Sequence, residues 1–253
     1  MTSLSTGSRT RTTFECASCG APHPSWVGRC GSCGDWNALV EVPVVRSGGS
    51  SVLAAASLGI GEVRPLSTLA PDESAAVPTG MAEVDRAFGG GLVPGSVTLL
   101  GGEPGIGKST LTLQLAAARV RAGSRVLLVS AEESPGQVRL RAERLGAVHD
   151  DLWLAGDASV EAILAHLDQL EPDLLIVDSV QTVHLAAEGG APGSVGQVRA
   201  SAQRLVAEAK ARALATVLVG HVTKDGSLAG PKTLEHVVDT VAELTGDRHH
   251  ALR

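Results

Sequence analysis

The chain has 253 residues, 43% of them apolar, and a formal net charge of −6. That length allows one sizeable core plus a small appended module, and the composition excludes a disordered chain. The acidic balance excludes a wholly basic, histone-like nucleic-acid binder but leaves room for a local basic groove. With no Tyr, and only Phe14 and Phe88 for Phe, the core has to be aliphatic. No apolar run approaches the length that crosses a bilayer, and Met1 to Arg11 lack the apolar centre of a signal peptide. A cytoplasmic location away from membranes is expected.

Residues 1–13 are polar, Ser/Thr-rich and basic at Arg9 and Arg11, the composition of a disordered tail. All four cysteines then fall within residues 14–42, as Cys16-Ala17-Ser18-Cys19 and Cys30-Gly31-Ser32-Cys33 with ten residues between the pairs. Each Cys-x-x-Cys pair makes a tight knuckle, and Gly20 and Gly34 tolerate the turn after the second ligand. The spacing predicts a tetrahedral four-cysteine Zn²⁺ site. Iron in the same tetrahedron, or disulfide and redox chemistry, are the alternatives. So small a module has little core, and metal ligation becomes its main source of stability. Trp26 and Trp36 flank the second knuckle and are expected to cover the metal site, the alternative being stacking on a nucleic-acid base. Residues 43–62, with Ser47-Gly48-Gly49-Ser50-Ser51 inside, show no sustained period and read as a linker, leaving 63–253 as the larger domain.

Within that domain, Gly80 to Phe88 forms a short amphipathic pattern with Met81, Val84 and Phe88 on one face, stopped by Gly89-Gly90-Gly91. Strands and helices then alternate. Strands are expected at Ser96 to Leu100, Arg125 to Ser130, Leu152 to Ala155, Leu174 to Val177, Thr216 to His221 and Thr240 to Leu244. Helices are expected at Ser109 to Ala122, Pro135 to Leu145, Val160 to Leu170 and Gln197 to Leu214. Near-continuous apolar strands such as Leu174 to Val177 fit a sheet covered on both faces, so the pattern predicts an α/β fold with a mostly parallel sheet.

Between the first of these strands and the first long helix runs Gly102-Glu103-Pro104-Gly105-Ile106-Gly107-Lys108-Ser109-Thr110. A polyphosphate has to be held by many donors at once without a bulky wall against it. Glycines let the backbone wrap closely and turn its N–H groups inward, and the helix start adds the positive end of its dipole. Lys108 can reach the β- and γ-phosphates, and the Ser109 hydroxyl is placed for Mg²⁺. The motif predicts Mg-nucleoside triphosphate binding.

In parallel sheets ligands sit at the carboxyl ends of the strands. Asp178 ends one strand and reads as the acidic residue of the Mg²⁺ shell, or as a turn former. Glu132 and Glu133 follow another, where a carboxylate can polarise attacking water or simply favour the helix start before Pro135. Of the two, Glu132 is the candidate base. His221 is a γ-phosphate sensor or a partly buried structural histidine. Two Gly/Pro-rich loops, Ala186 to Ser194 and Thr223 to Lys232, leave the same edge and can couple nucleotide state to a second ligand. Lys224 and Lys232 suit contacts to a nucleic-acid backbone, or belong to an ordinary solvated loop.

Together these residues resemble the bacterial RadA/Sms DNA-repair proteins, members of the RecA-like ATPases. The resemblance rests on Cys16-x-x-Cys19-Gly20 with Trp26-Val27-Gly28-Arg29-Cys30-Gly31-Ser32-Cys33-Gly34-Asp35-Trp36-Asn37, and on Gly89-Gly90-Gly91-Leu92-Val93-Pro94-Gly95-Ser96 running into the phosphate loop. Ser130-Ala131-Glu132-Glu133-Ser134 and Gly220-His221-Val222-Thr223-Lys224 complete it. It implies a RecA-like P-loop ATPase, with a mostly parallel twisted sheet, behind a small zinc module. The implied activity is an ATP-driven motor on single-stranded or branched DNA that processes or branch-migrates recombination intermediates. The implied assembly, for the full-length protein, is a homo-hexamer with ATP between subunits, DNA in the central channel and the RecA recombinase as a partner. Lys108, Ser109 and Asp178 match the nucleotide and Mg²⁺ ligands, Glu132 the catalytic glutamate, and the loops containing Pro192 and Lys224 the DNA-facing loops; the four cysteines match the zinc ligands. Members of the family run on into a Lys-Asn-Arg-Phe-Gly motif and a Lon-protease-like domain. This sequence stops at Leu252-Arg253, so a chain truncated after the ATPase core is expected. A signalling or phosphotransfer ATPase similar to the circadian-clock KaiC proteins, and a zinc-dependent binding module with a nucleotide-controlled dock, are the competing readings.

Overall fold

The computed structural model describes residues 12–16, 22–31, 34–37, 39–43, 65, 67, 75–221 and 234–246. The chain divides into two compact units, Met1–Thr68 and Leu69–Arg253.

The first unit carries a three-stranded antiparallel sheet of β1 (Thr12–Cys16), β2 (Pro22–His23) and β3 (Leu39–Pro43), in the order β2-β1-β3. β1 begins at Thr12, two residues ahead of the expected module, and β3 reaches Pro43, where the linker was expected to begin. Between β2 and β3 the chain makes a tight turn. Arg29 pairs with Trp36, Cys30 N–H donates to the Asp35 carbonyl at 2.8 Å, and Gly34 N–H donates back to the Cys30 carbonyl at 2.9 Å. Trp26 is 55% and Trp36 72% exposed. The Arg29 guanidinium lies over the Trp36 ring, 5.8 Å from its centroid, a cation–π contact.

The second unit is a six-stranded, wholly parallel sheet. Its strands are β4 (Val97–Gly102), β5 (Val126–Ser130), β6 (Leu152–Ala155), β7 (Leu174–Asp178), β8 (Ala215–Val219) and β9 (Thr240–Leu244), in the order β6-β5-β7-β8-β4-β9. The helices are α1 (Ala82–Ala87), α2 (Lys108–Arg121), α3 (Pro135–Leu145), α4 (Val160–Leu170) and α5 (Val195–Arg212).

Side chains alternate between the faces of each strand. Leu99, Leu127, Val129, Leu175, Val177 and Leu218 pack on one face against α4 and α5, which supply Ile163, Leu167, Val198, Ala202 and Leu205. Leu100, Val126, Leu128, Leu174, Ile176 and Val217 pack on the other with Leu113, Ala116 and Ala117 of α2 and Val138 and Ala142 of α3. Met81, Val84 and Phe88, around α1, pack on this second cluster as their spacing predicts. Two covered faces explain why the central strands read as unbroken apolar runs, and the core is aliphatic as the composition requires. Each fully buried leucine contributes about 1.5–3 kcal/mol relative to leaving it in water. Among the described residues no helix is long and apolar enough to cross a membrane.

Candidate nucleotide site

Because all six strands of the large sheet run parallel, their carboxyl ends share one edge. The order β5-β7-β8-β4 therefore stands the exits of four strands side by side. The registers Ser130↔Asp178, Asp178↔Val219 and Leu100↔Val219 keep those ends level. Glu132, Asp178, His221 and the loop after Gly102 each leave one of these strands.

The loop after β4 depends on its glycines. Gly102 sits at φ +153°, and a Cβ there would meet the Leu244 carbonyl oxygen of β9 at 2.7 Å. Gly107, at φ +112°, is the N-cap of α2 and has no side chain to satisfy the helix's first N–H groups. Three other helices are built differently: α3 has a Ser134–Gln137 capping box with Pro135 in its first turn, while Ser159 caps α4 and Ser194 caps α5. The N-terminal N–H groups of α2 thus remain available to an anion.

Lys108 is the first residue of α2 and is only 4% exposed. Its Nζ donates to the carbonyls of Gly102 at 2.8 Å and Glu103 at 3.0 Å. Burial lowers its pKa, and the nearby charges of Asp178 and Glu132 oppose that shift. Asp178, the last residue of β7, is also buried and accepts a hydrogen bond from the Ser109 side chain. Burial is the main cause of its raised pKa; Glu132 and Glu133 add to the shift, while the Ser109 bond and His221 oppose it.

Glu132 sits between two partners. Its Oε1 accepts a hydrogen bond from the Ser179 hydroxyl and lies 3.3 Å from His221 Nε2. Glu133 is engaged elsewhere, with Oε1 2.7 Å from the Arg141 guanidinium of α3. The His221 carbonyl accepts from Gln181 Nε2 at 3.4 Å. His221 Nδ1 and Gln181 Oε1 are buried without a hydrogen-bond partner among the described residues. A buried cation, an uncapped helix start, and a paired hydroxyl and carboxylate form a set of groups that fits a Mg-nucleoside triphosphate.

The structure thus gathers Gly102 to Thr110, Glu132, Asp178 and His221 along one sheet edge. Lys224 and Lys232 lie outside the described residues, as do Cys19 and Cys33. Cys16 ends β1, and Cys30 is buried with its Sγ 3.4 Å from His23 Nε2. A buried thiol in a glycine turn fits a metal ligand, the chemistry expected of the four-cysteine set. Sequence reasoning missed Ser179, Gln181 and Arg141. The one available signal was position: Ser179 directly follows a strand-end carboxylate.

Comparison with known proteins agrees with this architecture. Residues 64–227 match the family model of the AAA domain, and residues 14–41 match the rubredoxin metal binding domain. A DNA repair protein RadA from Mycolicibacterium smegmatis is 46% identical over 254 residues, covering 98% of this chain and 54% of the relative. The protein of the same name from Bacillus subtilis is 42% identical over 97% of this chain, and that from Escherichia coli 44% over 95%. The chain spans about half the length of these relatives.

Proposed function

We propose, from the premise that this chain belongs to the AAA-domain family of the RadA DNA repair proteins, that it is the ATP-hydrolysing core of a DNA repair motor acting on single-stranded or branched DNA. The observation that carries the reading is the meeting of Lys108, the Ser109–Asp178 pair and Glu132 on one sheet edge.

In this reading the backbone N–H groups from Gly105 to Ser109 cradle the phosphates, and Lys108 turns from the carbonyls of Gly102 and Glu103 to the β- and γ-phosphates. Ser109 and Asp178 hold Mg²⁺, which supplies electrostatic stabilisation of the charge that builds on the phosphates. Glu132 takes the proton of the attacking water. Both of its structural contacts use Oε1, so Oε2 is the oxygen presented to that water. His221, with Nε2 against Glu132, is the proposed sensor through which the γ-phosphate acts on the base. Its neighbour Val222 begins the segment containing Lys224 and Lys232, which contacts the DNA backbone and reports nucleotide state to it. The loop of residues 186–194 carries Glu188 and no lysine or arginine, so it contributes shape rather than charge to the DNA path.

The same reading makes the four cysteines ligands of one Zn²⁺, the longer protein a ring-forming hexamer in the cytoplasm, and the RecA recombinase its partner. The name shared by the relatives supports the repair role, and the AAA domain supports ATP as substrate.

Steady-state ATP hydrolysis with and without single-stranded DNA, alongside Lys108→Ala, tests the reading. DNA-stimulated hydrolysis that Lys108→Ala abolishes is expected. Hydrolysis indifferent to DNA, or phosphate transfer onto the protein itself, would count against it.

A further inference from the structure

Glu132 sits in a bend between β5 and α3, and it has three side-chain torsions to be held for a reaction at a single water. Ser179 lies directly after Asp178 and is fully buried. A buried hydroxyl needs a partner, and nearby ones use backbone carbonyls: Thr182 donates to the Ser179 carbonyl at 2.7 Å, and Ser201 to the Val183 carbonyl at 3.4 Å. Ser179 instead gives its proton to the Glu132 carboxylate.

The backbone around this contact is tethered on both sides. The Asp178 carbonyl accepts from Ala131 N–H at 3.2 Å, joining the exits of β7 and β5, and Val180 N–H donates to Val219 of β8 at 2.9 Å. Ser179 is therefore a fixed point against which a longer, partly exposed side chain is set.

We infer that Ser179 is the positioning residue of the hydrolytic base: its hydroxyl holds Glu132 Oε1 so that Oε2 faces the attacking water. The inference rests on the ATPase reading above and adds a geometric coupling. The residue that fixes the base is covalently next to the residue proposed to hold the metal, so a shift of the β7 exit moves both together.

The test uses the whole 253-residue chain. Ser179→Ala removes the donor; Ser179→Cys keeps nearly the same volume with a much weaker donor, which guards against a packing defect. Both are expected to lower kcat about 10- to 100-fold, the usual loss when a partner that orients a reacting group is removed. KM for ATP, and the Kd for a fluorescent non-hydrolysable ATP analogue, should stay within about twofold. If Ser179 acts through Glu132, adding Ser179→Ala to Glu132→Ala should change the residual rate by less than about twofold.

Wild-type kcat in both Ser179 variants, or full additivity with Glu132→Ala, overturns the inference and leaves the ATPase reading standing. A Glu132→Ala protein that hydrolyses ATP like the wild type also overturns the inference, because there is then no base to position, whereas a wild-type chain that does not hydrolyse ATP overturns the ATPase reading itself.

Discussion

The Arg141 guanidinium lies 2.7 Å from the Glu133 carboxylate, and that contact separates two adjacent glutamates of which the sequence favours Glu132 as the base. Glu133 is drawn to α3, while Glu132 is left with Ser179 and His221. Glu132→Gln should therefore reduce ATP hydrolysis by about 10²- to 10⁴-fold, the usual contribution of a general base, with nucleotide affinity retained. Glu133→Gln should keep hydrolysis within a few-fold and cost about 0.5–1 kcal/mol of stability, the worth of a partly exposed ion pair. Parallel kinetics and urea unfolding of the two variants check this; equal rates in both would refute the assignment.

Asp178 makes folding sensitive to pH in a direction opposite to that of a salt-bridged carboxylate. Its folded pKa is raised, chiefly by burial, above the ordinary value of 3.8. From 3.8 up to that raised value the folded chain keeps a proton that the unfolded chain has released, so stability falls as pH rises through this window. Asp178→Asn removes the buried charge. Without nucleotide or metal, the variant should melt at higher temperature than wild type at pH 7, and the gap should close as pH falls below about 4. Thermal melts at the two pH values decide it, and a gap independent of pH would be the contrary result.

Metal removal should act on one unit. If the four cysteines hold a Zn²⁺, one metal per chain should be found by elemental analysis, and a chelator should unfold the first unit, which has little core of its own. In a Trp153→Phe background the remaining indoles, Trp26 and Trp36, report that unit alone. Their emission should change on chelation, while the cooperative melt of the Leu69–Arg253 unit is retained. Cys30→Ser should lower metal content in the same way, and unchanged metal content would speak against it as a ligand.

A sheet covered on both faces makes a symmetrical prediction. Leu175 and Ile176 are neighbours on β7, each at most 1% exposed, and they belong to opposite core clusters. Leu175→Ala and Ile176→Ala should each cost about 2–5 kcal/mol in urea unfolding, the range for large cavities in a packed core. A near-zero cost for either one would mean that its face is not a core.

Much of this architecture is local and was readable before folding. The bounds read for α3, α4, β6 and β9 match those in the structure. The phosphate loop is legible because glycine spacing, a lysine and a hydroxyl act within nine consecutive residues. Periodicity was weakest where elements continue past their apolar run: β4 extends to Gly102 and α5 begins at Val195, because the ladder with β9 and the Ser194 cap set those ends.

The sequence by itself determined the parallel α/β class, the phosphate loop and the spacing of the cysteine pairs, since each depends on residues close together along the chain. Tertiary structure alone decided the strand order that sets β8 between β4 and β7, the turning of Glu133 toward Arg141, and the bond from Ser179 to Glu132. It also set the Arg29 guanidinium over the exposed Trp36 ring. These are contacts between residues far apart in the chain, or outcomes of which surfaces find a partner. They depend on which strand ends the sheet sets side by side, and no periodicity or spacing in the sequence encodes that directly.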